Sequence, residues 1–335
     1  MQGHRSVSGC ANRSTLFLRN VSKARHVPPP YASREVQLRV SSRAGVVCRV
    51  AGKADPIVTG DAPPTVAVPT SKADAISTLG YSFSPAALLL PYHIGVAEEL
   101  TLQGLITEST PLAGSSAGFI VVVCIASGVP FNQVVARIKD LMQDLRENGY
   151  VGRVQAVMRR VLVDMLPDDI HVRLNSRACC SCGITRLKFG DNLNPLEALE
   201  IAEFFSKSDV IAAIEASGWV PIWIAPGMFV RFRGEPCVDG FPTQFFPTPM
   251  GKCETVVRVT PTHAAALGGL EAAGLVKADE VDICPGGPGY SSRFSALKLS
   301  SCALAPYDDK TVDDLVAMGR EDAAVWAKQY CQSAS

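Results

Sequence analysis

The chain has 335 residues, 47% of them hydrophobic, with 32 basic and 32 acidic residues, so its formal net charge is zero. That is the size of one large α/β domain or two small ones, with ample apolar material for a core. The charge balance, and the lack of a basic stripe interleaved with aromatics, argue against a nucleic-acid partner, and the longest apolar run, Phe119 to Ala126, falls far short of the roughly 20 residues that cross a bilayer.

The first 53 residues differ from the rest. Nine arginines and lysines from Arg5 to Arg49 stand among many serines, and Glu35 is the sole acid before Asp55. A basic, Ser-rich, acid-poor leader without an apolar h-region predicts an organelle transit peptide, disordered by itself, with the plastid expected first and the mitochondrion second. Val46 to Ala51 provides a small and aliphatic neighbourhood for processing, and a Pro-rich linker is expected over 54–75. Eleven scattered cysteines, an odd number, speak against a disulfide scaffold and for a reducing compartment; the cluster Cys179-Cys180-Ser181-Cys182 reads as small buried residues of a strand rather than as metal ligands.

The globular pattern runs over 76–330. Tyr81 to Ser84 reads as the end of a strand, and Tyr92 to Gln103 as a helix closed by Gly104. A short extended stretch, Thr110 to Ala113, then leads into Gly114-Ser115-Ser116-Ala117-Gly118, which opens an apolar helix ending at Ser127-Gly128. This is the layout of a nucleophile elbow, G-x-S-x-G between strand and helix. The serine hydroxyl projects from a strained turn, the two glycines let the backbone close, and the next N–H, that of Ala117, faces the position of an oxyanion. Helical periodicity continues through Val134 to Leu145 and through Val154 to Leu162.

Cys182 to Leu187 predicts a strand, while Pro195 to Phe205 fits either a helix or a buried strand. Ser208-Asp209 predicts the cap of a short helix ending at Gly218. Strands are expected at Pro221 to Ala225, Met228 to Arg233, Glu254 to Thr260 and Glu280 to Cys284, and a last helix from Val312 to Lys328. Strands alternating with helices predict a three-layer α/β/α domain with a mainly parallel central sheet.

A serine needs a base to take its proton. Asp239, in Val238-Asp239-Gly240 just after a strand, and His263 are both candidates, and the order Ser116, Asp239, His263 also fits a Ser-Asp-His triad. His93 falls on an amphipathic helix and reads as structural.

Several blocks in order resemble the patatin-like phospholipases. Phe83-Ser84 with Pro91 to Val96, Gly114 to Gly118, and Ala126 to Val129 are similar to the family's first block, its serine motif and the end of its nucleophile helix. Ser208 to Ile211, Ala216-Ser217 and Val220-Pro221 resemble the approach to the aspartate, and Arg233-Gly234 with Val238-Asp239-Gly240 the aspartate block itself. Asp282 to Pro285 and Gly319 to Ala323 resemble a late strand and the last helix, so the resemblance spans Tyr81 to Lys328. It implies a Ser-Asp dyad, Ser116 with Asp239, acting on acyl esters of glycerolipids at a membrane or lipid-droplet surface, with no metal or other cofactor. The family's oxyanion turn is glycine-rich; here it reads Ser84-Pro85-Ala86-Ala87-Leu88, which assigns the donors to Ala86 and Ala87 beside Ala117, and Phe241 replaces the glycine after Asp239-Gly240. Three readings are open at this point: a lipid acyl hydrolase, a patatin-like lipid-binding protein with impaired turnover, and a triad hydrolase or acyltransferase through His263.

Overall fold

The computed structural model describes residues 79–177, 179–190 and 194–333. The expected leader and linker lie outside the described residues. Among the described residues no helix is long and apolar enough to cross a membrane.

In chain order the elements are β1 (Leu79–Phe83), α1 (Leu90–Leu102), β2 (Leu112–Ser115), α2 (Ala117–Ser127), α3 (Phe131–Asn148), α4 (Val154–Met165), α5 (Ile170–Ser176), β3 (Cys180–Leu187), β4 (Leu196–Ile201), α6 (Lys207–Ser217), β5 (Val230–Phe232), β6 (Glu235–Val238), β7 (Thr255–Val259), α7 (Ala264–Ala272), α8 (Ala296–Leu304) and α9 (Asp309–Ser333). Seven strands form one sheet in the order β5-β6-β3-β2-β1-β7, with β4 also pairing β3. The strands β7, β1, β2 and β3 are parallel to one another, and β4, β5 and β6 add antiparallel pairs at one side. Helices cover both faces, so the domain is three-layered, as the alternation of elements predicts.

The core follows the sequence closely. β1 and β2 are buried at every position, as strands covered on both faces must be. α2 is apolar all round, and all but Ile125 of its residues are buried, the signature of a central helix. α1 and α9 cross at two glycines. A Cβ on Gly95 would stand 2.1 Å from the Val316 carbonyl oxygen, and one on Gly319 would stand 2.1 Å from that of Tyr92. The crossing is fastened by Tyr92, whose hydroxyl donates to the buried Asp322 carboxylate at 2.8 Å.

Three expectations need correction, and one stretch with two open readings takes the strand form. Pro221 to Ala225 is a turn with one isolated bridge between its ends; Pro221 and Pro226 bracket it, neither with an N–H for a ladder, and Ile222 bends back at φ 69°. Glu280 to Cys284 forms no ladder, only an isolated bridge from Ile283 to Val259 beside hydrogen bonds between Asp282 and Arg258, with a 3-10 turn at Ala278–Glu280 and Pro285 closing it off. The ambiguous stretch after Asn194 is strand β4, whose exposed and half-buried residues suit a sheet edge. The cap of α6 is Ser206, not Ser208: its Oγ accepts the Asp209 N–H at 3.1 Å. Asp209 in turn takes Arg233 Nη2 at 2.6 Å, tying the helix start to the β5–β6 hairpin.

Candidate active site

Ser116 lies between β2 and α2 at φ 55°, ψ −127°. A non-glycine residue here costs about 1–2 kcal/mol, and the surroundings hold it in place. Its N–H donates to Ser217 Oγ at 2.6 Å, and that hydroxyl donates to the Gly183 carbonyl at 2.6 Å. The flanking glycines have a steric reason. A Cβ on Gly114 would come within 2.4 Å of the Gly118 carbonyl carbon, and one on Gly118 within 2.2 Å of the Phe83 oxygen.

β3 brings the two halves of the site together. β4 pairs residues 182–187 along one of its edges. β2 pairs 180–183 and β6 pairs 185 and 186, so both must use the other edge, end to end. β2 runs parallel to β3 and β6 antiparallel, so their C-terminal ends point at each other across Ile184. The next residues are Ser116 and Asp239. Gly240 completes the junction: a Cβ there would stand 1.9 Å from Ser115 Oγ and 2.6 Å from the Gly183 oxygen. The N–H groups of Asp239 and Gly240 donate to the Trp219 and Ser217 carbonyls at 2.9 and 3.0 Å.

Asp239 is 7% exposed, as is Ser116. Its carboxylate accepts the Phe241 N–H at 2.7 Å, and the Ser116 hydroxyl is near enough to pull its pKa down. Burial pushes its pKa up to about 6, against the opposing pull of those two donors. Phe241 does not crowd the carboxylate: only its backbone N–H engages Asp239, while its ring packs edge-on against Phe245.

The alanine turn is equally ordered. Ala87 has φ 47°, the conformation for which glycine is the usual choice. The 3-10 turn Ala87–Leu89 begins there, and the first N–H groups of such a turn have no partner inside it. The same holds for Ala117, the first residue of α2. The turn hangs on Ser84, whose N–H donates to the Val259 carbonyl at 3.0 Å and whose Oγ donates to Thr260 Oγ1 at 2.8 Å. His93 Nε2 donates to the Ser84 carbonyl at 3.0 Å. Full burial holds the His93 pKa down to about 4, so the imidazole stays a neutral donor at physiological pH; its role is structural, as its place on a helix suggests. Ala87→Gly removes the strain at φ 47° and is expected to raise stability by about 1 kcal/mol, read as a melting temperature about 2–4 °C higher. An unchanged or lower value would mean that the turn carries no strain.

Ala86, Ala87, Ala117, Ser116 and Asp239 all border one cavity of about 760 Å³. It extends between α3 and α4, where Val134, Ile138, Met142, Val157's neighbour Met158 and Leu162 close on it. Arg137 and Asp239 are the only Asp, Glu, Lys, Arg or His residues in its lining. His263 is not in the lining: it caps α7, its Nδ1 accepting the Ala265 N–H at 3.1 Å. Ser217, named in the sequence only within the block that resembles the approach to the aspartate, clamps the elbow to β3. Cys180 and Cys182 are buried in β3, and among the described residues no cluster of His, Cys, Asp and Glu could hold a metal.

No protein-family profile matches the chain. Over 265 residues it is 26% identical to 1-acylglycerol-3-phosphate O-acyltransferase Pnpla3 of Mus musculus, a match covering 72% of this chain and 57% of that protein. Over 188 residues it is 27% identical to the human patatin-like phospholipase domain-containing protein 4, covering 53% of this chain and 70% of that one. The chain is similar to the patatin-like phospholipases. The chain thus spans little more than half of the mouse relative. Among solved structures, human GIVD cytosolic phospholipase A2 aligns over 77% of this chain and 60% of its own, with a TM-score of 0.41 and 10% identity.

Proposed function

We propose that the protein is a serine lipid acyl hydrolase working through an acyl-enzyme on glycerolipid esters. The observation that carries this reading is the convergence of Ser116 and a buried Asp239, each one residue past the end of a strand paired with β3, on the wall of one apolar cavity. Asp239 accepts the Ser116 proton as Oγ attacks the ester carbonyl. The N–H groups of Ala117, Ala86 and Ala87 are the donors for the oxyanion. Collapse of the tetrahedral intermediate breaks the ester C–O bond, and the proton on Asp239 passes to the departing alcohol. Asp239 then takes a proton from water, whose oxygen attacks the acyl-serine, and a fatty acid leaves with Ser116 restored. The Ser116 N–H takes no part, because it is donated to Ser217.

The cavity supports a long acyl chain as the buried part of the substrate: it falls within the usual range of about 300–1,000 Å³ for ligand sites and is lined by aliphatic and aromatic side chains. Such substrates reside in lipid surfaces, where the protein works peripherally. A fluorophosphonate probe is expected to label the wild type and His263→Ala but not Ser116→Ala, read by in-gel fluorescence. No labelling of the wild type would favour lipid binding without turnover, and loss with His263→Ala would favour the triad.

A further inference from the structure

Ile222 combines two unfavourable features. It is the one β-branched residue at positive φ among the described residues, at 69°, and its side chain is 64% exposed. Backbone geometry favours Gly or Asn at such a position, and solubility favours a polar residue. The turn is held firmly: the Gly152 N–H donates to the Trp223 carbonyl at 2.8 Å, the Gln155 N–H to that of Ile224 at 3.0 Å, and Trp223 Nε1 to that of Leu304 at 3.2 Å. Ile222 therefore projects from a rigid support fixed to the start of α4 and the end of α8.

Its surroundings are apolar too. Val220, Phe241 and Leu304 both line the cavity and stand 36%, 38% and 61% exposed, which places them at its mouth. Leu297, 82% exposed, lies two turns before Leu304 on the same side of α8. The collar Val220, Pro221, Ile222, Trp223, Phe241 and Leu304 carries no charge; Arg137, the exposed charged residue of the cavity lining, belongs to α3.

We infer that this collar is the surface by which the protein seats on a lipid layer, with Ile222 and Leu297 entering the acyl region. The inference rests on the proposed function for the identity of the cavity's occupant. The occupant of the collar is a lipid surface because exposed apolar groups continue from the apolar lining of the cavity: an acyl chain leaving a lipid layer there would pass from one apolar surface to another, whereas a protein seated there would block its entry. Trp223 suits the boundary, with an apolar body and a polar N–H.

The test uses the full chain with sedimented dioleoylphosphatidylcholine vesicles. Ile222→Asn and Leu297→Asn change residues outside the cavity lining. Each is expected to lower the vesicle partition coefficient roughly tenfold, the effect of losing one large inserted side chain. Hydrolysis of the soluble ester p-nitrophenyl butyrate is expected to stay unchanged. Ile222→Asn is further expected to raise the melting temperature, because Asn accepts positive φ; binding lost with stability gained excludes misfolding as the cause. Leu102→Asn is the control: Leu102 is 75% exposed at the C-terminal end of α1, the end away from the Ala87 turn, and its change is expected to leave partition untouched. The inference is overturned if the wild type does not sediment with vesicles, if both collar variants partition like the wild type, or if Leu102→Asn lowers partition as much as they do. Failure of the catalytic reading shows separately, as no hydrolysis of the soluble ester by the wild type.

Discussion

Replacing Asp239 by Asn is expected to lower kcat/KM for ester hydrolysis by roughly 10³-fold or more, within the range for loss of a general base that also relays the proton to the leaving group. The amide keeps the size of the side chain and its contact with the Phe241 N–H, so a loss of activity reports the missing base rather than a collapsed site. The wild type carries the pH signature of the same group. With a pKa of about 6, the carboxyl is protonated and idle below that value, so kcat/KM should rise with pH through about 6 and level off above it. A profile flat from pH 5 to 7, or an Asn variant that retains full activity, would remove Asp239 from the base role. Stability moves the other way. The folded-state pKa is raised above the ordinary carboxylate value of about 3.9, so the stability of this group is fully present below about pH 4 and is lost as pH rises through 6. At pH 8 the buried charge costs up to about 3 kcal/mol by linkage, and the Asn variant should melt higher than the wild type there and not at pH 4.

Adding one methyl group where α1 and α9 cross should be the most damaging change remote from the site. In Gly95→Ala the new Cβ would stand 2.1 Å from the Val316 oxygen and 2.9 Å from its carbonyl carbon. Both atoms are backbone, so no rotamer change relieves the overlap; the helices must separate. Separation pulls Tyr92 from Asp322 and disturbs the Tyr81 ring, which packs edge-on against Trp326 of α9. A loss of about 3 kcal/mol is expected, the upper part of the range for overpacking, seen in thermal denaturation as a melting temperature lower by about 10 °C. A shift under 2 °C would show that the crossing has slack.

How far the sequence reveals such features depends on how local their cause is. Gly114 is readable because the steric need for it arises within one strand-turn-helix unit, Gly118 because it completes the G-x-S-x-G spacing although the backbone it must clear belongs to β1, and Asp239 because it follows a strand and precedes a glycine. The meeting of Ser116 with Asp239 has no local signature: it depends on two strands sharing one edge of β3, a long-range pairing. Ala87 conceals its positive φ because the residue that would advertise it, glycine, is absent. Pro221 to Ala225 looks like a strand because it is a short unbroken apolar run rich in β-branched and aromatic residues; in the structure Pro221, Trp223 and Ile224 border a cavity and Ile222 is exposed. The helices α3 and α4 were legible as amphipathic, but not that part of their apolar side faces a void instead of a partner.

The placement of two strands on one rail has a bearing on divergence. Ser116 and Asp239 are each one step beyond a ladder pair with β3, so their alignment is inherited from hydrogen-bond register and not from the loops around them. Insertions in the segments after Phe241 or before Val230 can remodel what the cavity admits while the pair stays in line. A shift of β6 by a single residue along β3, by contrast, would turn the carboxylate to the opposite side of the sheet. Surface loops of this scaffold are therefore free to drift, and the short stretch from Cys180 to Arg186 is where drift would be fatal.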